Sequence, residues 1–231
     1  MIFGIIAAVV ILAVFAVYHF GFIDFYHPMR KPREGQIRVA CVGDSITFGC
    51  TVRNWRKNNY PNRLADMLGD GYCVNNFGYT NRTVINSADY PYTKEKLYRQ
   101  SLDFQPDIVV LLLGSNDSKK CNWDEEKFIN DYGALVKSYQ AVGAKVYVLI
   151  PPPLFPVRGK VMWQLRQDVL EDAICPTVVE IAEKTGAACV DMHSVFAGKK
   201  ELFSDGVHPN ARGSKLFAQT IFERIFAAGC D

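Results

Sequence analysis

The sequence predicts a three-layer α/β/α domain built on a five-stranded parallel sheet, and three observations carry that reading. Short, nearly continuous apolar runs alternate with longer stretches of helical periodicity, the order that gives parallel strands joined by right-handed helical crossovers. The longest runs are rich in β-branched residues and leucine at successive positions, as in strands covered on both faces. Polar blocks containing Ser45, Gly78 and Asn116 each fall just after a run, at the sheet edge where open parallel sheets hold their ligands.

Taken in order, residues 2–22 are apolar except for Gly4, His19 and Gly21, about the length of a bilayer-spanning helix. This predicts one N-terminal transmembrane helix, a single-pass anchor over 1–23. A cleavable signal peptide is the alternative, with export of the rest of the chain. It would need a basic start, a shorter apolar run and a small-residue cleavage site, yet no Lys or Arg precedes the run and Val14-Phe15-Ala16 lies inside it. Arg30, Lys31, Arg33 and Arg38 follow the segment, which predicts by the positive-inside rule that the domain after it lies on the cytoplasmic side. Residues 24–36, with two prolines, a glycine and clustered charge, read as a juxtamembrane linker, and the folded domain is expected over 37–231.

Within that domain, 37–43 is a buried strand ending in a glycine turn, 60–68 a helix and 72–77 a second strand. Residues 107–113, bounded by Pro106 and Gly114, and 144–150 are the two longest strand-like runs, and 187–191 is a shorter one. Helices are expected over 125–142, over 162–184 with a break or kink at Pro176, and over 210–227.

A net charge of +2 with 22% charged residues, and no basic stripe, excludes nucleic acid as an expected partner. The 7 cysteines include no C-x-x-C pair and have no histidine at ligand spacing, so neither a metal nor another cofactor is implied. Cys41, Cys73 and Cys189 fall inside apolar runs and read as reduced core residues. No G-x-S-x-G elbow, phosphate loop, dinucleotide fingerprint or H-E-x-x-H motif is present.

Four blocks hold the parts of an ester-cleaving site: Gly43-Asp44-Ser45-Ile46-Thr47, Asn76-Phe77-Gly78, Gly114-Ser115-Asn116-Asp117 and Asp205-Gly206-Val207-His208. A serine hydroxyl needs a base to take its proton, and neutral histidine is the usual one. Ser45 and His208 fill those roles, with Asp205 to hold the imidazole in the right tautomer. Ser45 N–H, Gly78 N–H and the Asn116 amide are the candidate oxyanion donors. Asp44 and Asp117 read as loop-holding residues. Residues 151–156, proline-rich and following a strand, are expected at the site's rim. Trp123 and Trp163 are candidates either for a sugar-binding surface or for core packing.

In these blocks the chain resembles the SGNH (GDSL-type) hydrolases, whose four name residues match Ser45, Gly78, Asn116 and His208, from about residue 37 to the C-terminus. The stretch Leu202 to Asn210 and the segment from Asn76 through Arg82-Thr83 look most like the carbohydrate O-acetylesterase branch, similar to sialate O-acetylesterases. That branch often has Ser-Gly after the second block's glycine, where this chain has Thr80-Asn81. The resemblance implies a flavodoxin-like fold and a serine esterase that removes short acyl groups, chiefly acetyl, from a carbohydrate. A lysophospholipase or thioesterase, a carbohydrate O-acyltransferase with the same residues, and a membrane-tethered binding protein with a dead site are the alternatives. The loop after Ser45 is polar (Arg53, Asn54, Arg56, Lys57), and the second block carries Asn81 and Arg82, which favours a short acyl group over a lipid chain.

Overall fold

The computed structural model describes residue 6 and residues 9–14, 28–157 and 162–227. Five parallel strands form one sheet, β1 (Ile37–Gly43), β2 (Tyr72–Gly78), β3 (Ile108–Leu112), β4 (Lys145–Ile150) and β5 (Ala188–Asp191), in the order β2-β1-β3-β4-β5. β1 is an interior strand, with Gly43 level with Gly78 of β2 on one side and with Leu112 of β3 on the other. The strand order reverses between β1 and β3, so a crevice opens beyond their carboxyl ends.

The pleat sends alternate side chains to opposite faces, and both faces are covered. Val39 and Cys41 join one core with Val110, Leu112 and Leu149, while Ala40 and Val42 join another with Val109, Leu111 and Val148. On the first face lie α2 (Tyr60–Leu68) and α6 (Ala211–Ile221), through Tyr60, Leu64, Phe217 and Ile221. On the second lie α3 (Lys96–Asp103), α4 (Glu125–Ala141) and α5 (Cys175–Thr185), through Tyr98, Phe128, Val136, Val178 and Ile181. The remaining helix that matters to the site is α1 (Ser45–Phe48), a single turn after β1.

Side-chain caps set where these helices begin, by meeting backbone donors that the first turn leaves unpaired. Asn59 accepts from Asn62 N–H at the start of α2, Asp124 from Lys127 N–H at α4, and Asn210 from Arg212 and Gly213 N–H at α6. Glu125 and Glu126 add negative charge in the first turn of α4, where the helix dipole favours it.

Several sequence expectations require correction. Pro176 does not break the helix: it sits in the first turn of α5, directly after a π-helical turn over Leu170–Ile174 in which Cys175 N–H reaches back to the Leu170 carbonyl. That helical run starts at Gln167, not 162, because Trp163 (φ 66°) and Gln164 (φ 61°) adopt left-handed backbone. Cys189 is exposed, since β5 is the sheet's edge strand.

The largest correction concerns the N-terminus. Among the described residues no helix is long and apolar enough to cross a membrane, so the expected anchor over 1–23, and the cytoplasmic placement that rested on it, are not supported. Residues 9–14 are helical, and the remainder of 1–23 apart from residue 6 lies outside the described residues. The described part of the expected linker is fastened to the domain rather than hanging from it. Arg30 donates to the Val74 carbonyl and Asn62 Oδ1, its N–H to Asn75 Oδ1, and Arg33 pairs with Asp70.

Candidate active site

Ser45 stands just past the carboxyl end of β1 because the strand stops at Gly43 and Asp44 caps α1, its Oδ1 accepting Ile46 N–H at 2.9 Å. His208 comes to it from the far end of the chain on a turn that only glycine can make. Gly206 has φ 87°, and a Cβ there would stand 2.0 Å from the Phe155 carbonyl oxygen. The turn is closed by Ser204 N–H on the His208 carbonyl and braced by Phe155 N–H on the Gly206 carbonyl.

The structure brings the three residues into one hydrogen-bonded line. His208 Nε2 lies 2.8 Å from Ser45 Oγ, and His208 Nδ1 lies 2.7 Å from Asp205 Oδ2. An ionised carboxylate can only accept, so Nδ1 carries the donated hydrogen and Nε2 is left to accept from the serine hydroxyl. Asp205 Oδ1 also accepts the N–H groups of Val207 and His208, at 3.0 and 2.8 Å, which fixes the carboxylate against the imidazole. Burial alone would push the Asp205 carboxyl up, but the bond and charge of His208 and these two N–H groups hold it below the usual carboxylate range.

Asn116 lies on a 3-10 turn after β3, entered through Gly114. Its Nδ2 is 3.2 Å from the Arg82 carbonyl and 3.4 Å from Asp44 Oδ2, and the residue lines the same cavity as Ser45. Asp44 is buried, and desolvation pushes its carboxyl up to about 6 against the opposing pull of Ile46 N–H and the positive charge of His208 and Lys119.

A cavity of about 440 Å³ opens over Ser45 and His208, lined also by Thr80, Asn81, Asn116, Trp163 and Leu165. Gly78 is not among its lining residues. Gly78 N–H is held at 2.8 Å by Asn76 Oδ1, and the residue is packed so closely under α1 that a Cβ would stand 2.3 Å from Phe48 N. The expected oxyanion donor is thus placed in the scaffold beneath Ser45. The part of the second block that reaches the cavity is Thr80-Asn81, with Asn81 in left-handed backbone (φ 62°). The departure from Ser-Gly at this pair is the signal that could have found it in the sequence.

Other expectations divide. Trp163 lines the cavity and is 57% exposed, while Trp123 packs on Phe128 with ring centroids 5.4 Å apart. Of the expected rim segment, residues 151–154 are buried, Phe155 is half-buried and braces the histidine loop through its N–H on the Gly206 carbonyl, and Pro156 is exposed. The charged side chains expected to face the site from the loop after Ser45 do not line the cavity; Ile46, Cys50 and Thr51 do.

Asp117 reaches further than a local turn. Fully buried, it accepts the N–H groups of Val84 and Ile85 at 3.0 Å, clamping the second block to the third. Burial pushes its carboxyl up to about 7 despite those bonds, with Asp44 nearby adding to the shift. Among the described residues no group of three His, Cys, Asp or Glu side chains is placed to hold a metal ion.

The model of the GDSL-like Lipase/Acylhydrolase family matches residues 41–216. Among characterised proteins, the chain is 36% identical over 215 residues to an acetylxylan esterase of Xylanibacter ruminicola, covering 84% of this chain and 44% of that protein. It is 24% identical to a multidomain esterase of Ruminococcus flavefaciens, covering 86% of this chain and 29% of the other. The chain thus spans less than half the length of these two relatives. Two solved structures share the fold: Est24, a carbohydrate acetylesterase from Sinorhizobium meliloti (TM-score 0.66, 23% identity, 84% of this chain and all of that one), and the acetyl xylan esterase AlAXEase (TM-score 0.63, 20% identity, 82% and 100%). With a family model matching well over half of its length, the chain belongs to the GDSL-like Lipase/Acylhydrolase family.

Proposed function

We propose that this chain is a serine esterase that removes acetyl groups from an acetylated carbohydrate. The observation that carries the reading is the line Ser45 Oγ, His208 Nε2, His208 Nδ1, Asp205 Oδ2, with links of 2.8 and 2.7 Å at the floor of the cavity. Ser45 Oγ attacks the ester carbonyl carbon while its proton passes to His208 Nε2. The carbonyl oxygen becomes an oxyanion, and its collapse expels the sugar oxygen, which takes the proton back from His208 and leaves an acetyl-Ser45 ester. Water then attacks that ester with His208 again as base, releasing acetate and restoring Ser45.

Asp205 holds the Nδ1–H tautomer and offsets the positive charge that His208 gains in each half of the cycle. For the oxyanion we assign Ser45 N–H, Asn116 Nδ2 and, in place of Gly78, Asn81 N–H, because Asn81 belongs to the part of the second block that lines the cavity. The acetyl preference is supported by the acetylxylan esterase relative, and the cavity falls in the range of roughly 300–1,000 Å³ typical of small-molecule sites. Ile46, Trp163, Leu165 and Val207 give the cavity apolar wall, which favours one second reading, a longer acyl chain.

The nucleophile is tested by labelling with a fluorophosphonate, in which serine oxygen displaces fluoride at phosphorus. The expected result is one adduct per chain, mapped to the Ser45 peptide, and none in Ser45→Ala. An unlabelled wild-type chain, or an adduct on another residue, would remove the mechanism.

A further inference from the structure

Arg82 is buried to 8% exposure although it carries a full charge. One guanidinium nitrogen donates to the Thr80 carbonyl at 2.6 Å, and another pairs with Glu95 Oε1 at 2.9 Å. The guanidinium lies 3.6 Å from the centre of the Tyr79 ring and 5.5 Å from that of Tyr90. The Arg82 carbonyl meanwhile accepts from Asn116 Nδ2. Residue 82 therefore touches both sides of the site: its side chain grips the turn at 79–80, and its backbone orients the third block's amide. Between these two grips sits Asn81, in a left-handed conformation that disfavours most residues other than glycine.

We propose that Arg82 is a positioning residue for the oxyanion site, which locks the Thr80-Asn81 turn so that the Asn81 N–H faces the cavity without glycine at that place. The inference rests on the proposed esterase reading and on Asn81 N–H as an oxyanion donor. Glu95 anchors the guanidinium from the far side, and the Tyr79 ring fixes its plane; a lysine could keep the charge pair but not the planar fork and the stack together. Arg82 itself does not line the cavity, so its effect falls on transition-state stabilisation rather than on substrate binding.

The test is a kinetic cycle on an activated acetate ester with Arg82→Met, Arg82→Lys and Glu95→Gln, each in the wild-type chain and with Asn81→Gly. A small misplacement of a donor costs up to about 100-fold in rate, so Arg82→Met is expected to lower kcat by about 10- to 100-fold with KM within about twofold. Arg82→Lys and Glu95→Gln are expected to fall between it and wild type. In the Asn81→Gly background, where the left-handed turn needs no lock, Arg82→Met is expected to cost no more than about threefold. A loss carried by KM, an equal loss in both backgrounds, or unchanged kcat overturns the proposal. If Arg82→Met does not fold, Arg82→Lys and Glu95→Gln decide it by the same criteria. Ser45→Ala, run alongside, separates the two readings: if it keeps its activity the esterase assignment fails, whatever Arg82 does.

Discussion

At the scale of single residues, the proposed site divides into groups that move a proton and groups that stabilise the charge that develops. Ser45 and His208 stand 2.8 Å apart and the proposed mechanism couples them, so His208→Ala should lower kcat by about 10⁴- to 10⁶-fold on an activated acetate ester without unfolding the chain. Asn116→Ala should instead lose roughly 10²- to 10³-fold in kcat with little change in KM, because an oxyanion donor acts mainly in the transition state. A raised KM at normal kcat would make Asn116 a ground-state contact. Asp205 is held below the usual carboxylate range by His208 against the effect of burial, so its carboxylate keeps its charge beside the imidazole within that range.

At the scale of elements, the buried carboxylate of Asp117 is the joint between the second and third blocks. Its carboxyl is pushed up to about 7 in the fold, from an unfolded value near 3.8. Between those values the folded chain holds a proton that the unfolded chain has lost, so this group's contribution to stability declines as pH rises through the window and levels off above it. Asp117→Asn can still accept both backbone bonds through Oδ1, as Asp117 Oδ1 does for Val84 and Ile85. Urea unfolding should therefore show wild type losing stability relative to Asp117→Asn between about pH 4 and pH 7, with no further change above. Parallel curves would mean that Asp117 titrates normally.

The elements also mark where sequence reading succeeds and where it stops. Helix α2 and all five strands were legible to within about two residues, because capping and turn residues bound each of them. Pro176 misled because a proline at a first helical turn is no breaker, and the preceding π-helical turn cannot be read from composition. Gly78 misled for a different reason. The second block holds a tight-packing position and a cavity-lining position three residues apart, and the glycine went to the former. The grips of Asp117 on Val84 and of Arg82 on Glu95 were invisible because they join residues distant in sequence, on which no periodicity bears.

At the scale of the whole molecule, strand order β2-β1-β3-β4-β5 brings the turns after β1 and β3 to one edge, and the last loop carries His208 back to them. That convergence was predictable from the alternation of strands and helices together with the position of Ser45 and Asn116 just after strands. The N-terminal segment was not: apolar length alone suggested an anchor, which the described residues do not support. The cavity, too, carries more apolar wall than the polar loops implied, which is why acyl length is the decisive question. The most direct measurement is release of acetate from an acetylated xylo-oligosaccharide by the full chain, with kcat/KM compared across acetyl, butyryl and octanoyl esters of one alcohol below micellar concentrations. Acetate release that Ser45→Ala abolishes, with kcat/KM falling from acetyl to octanoyl, is the predicted result. A long chain that found an apolar groove would gain about 0.8 kcal/mol per buried methylene, so kcat/KM rising with length, with no acetate from the oligosaccharide, would contradict the account.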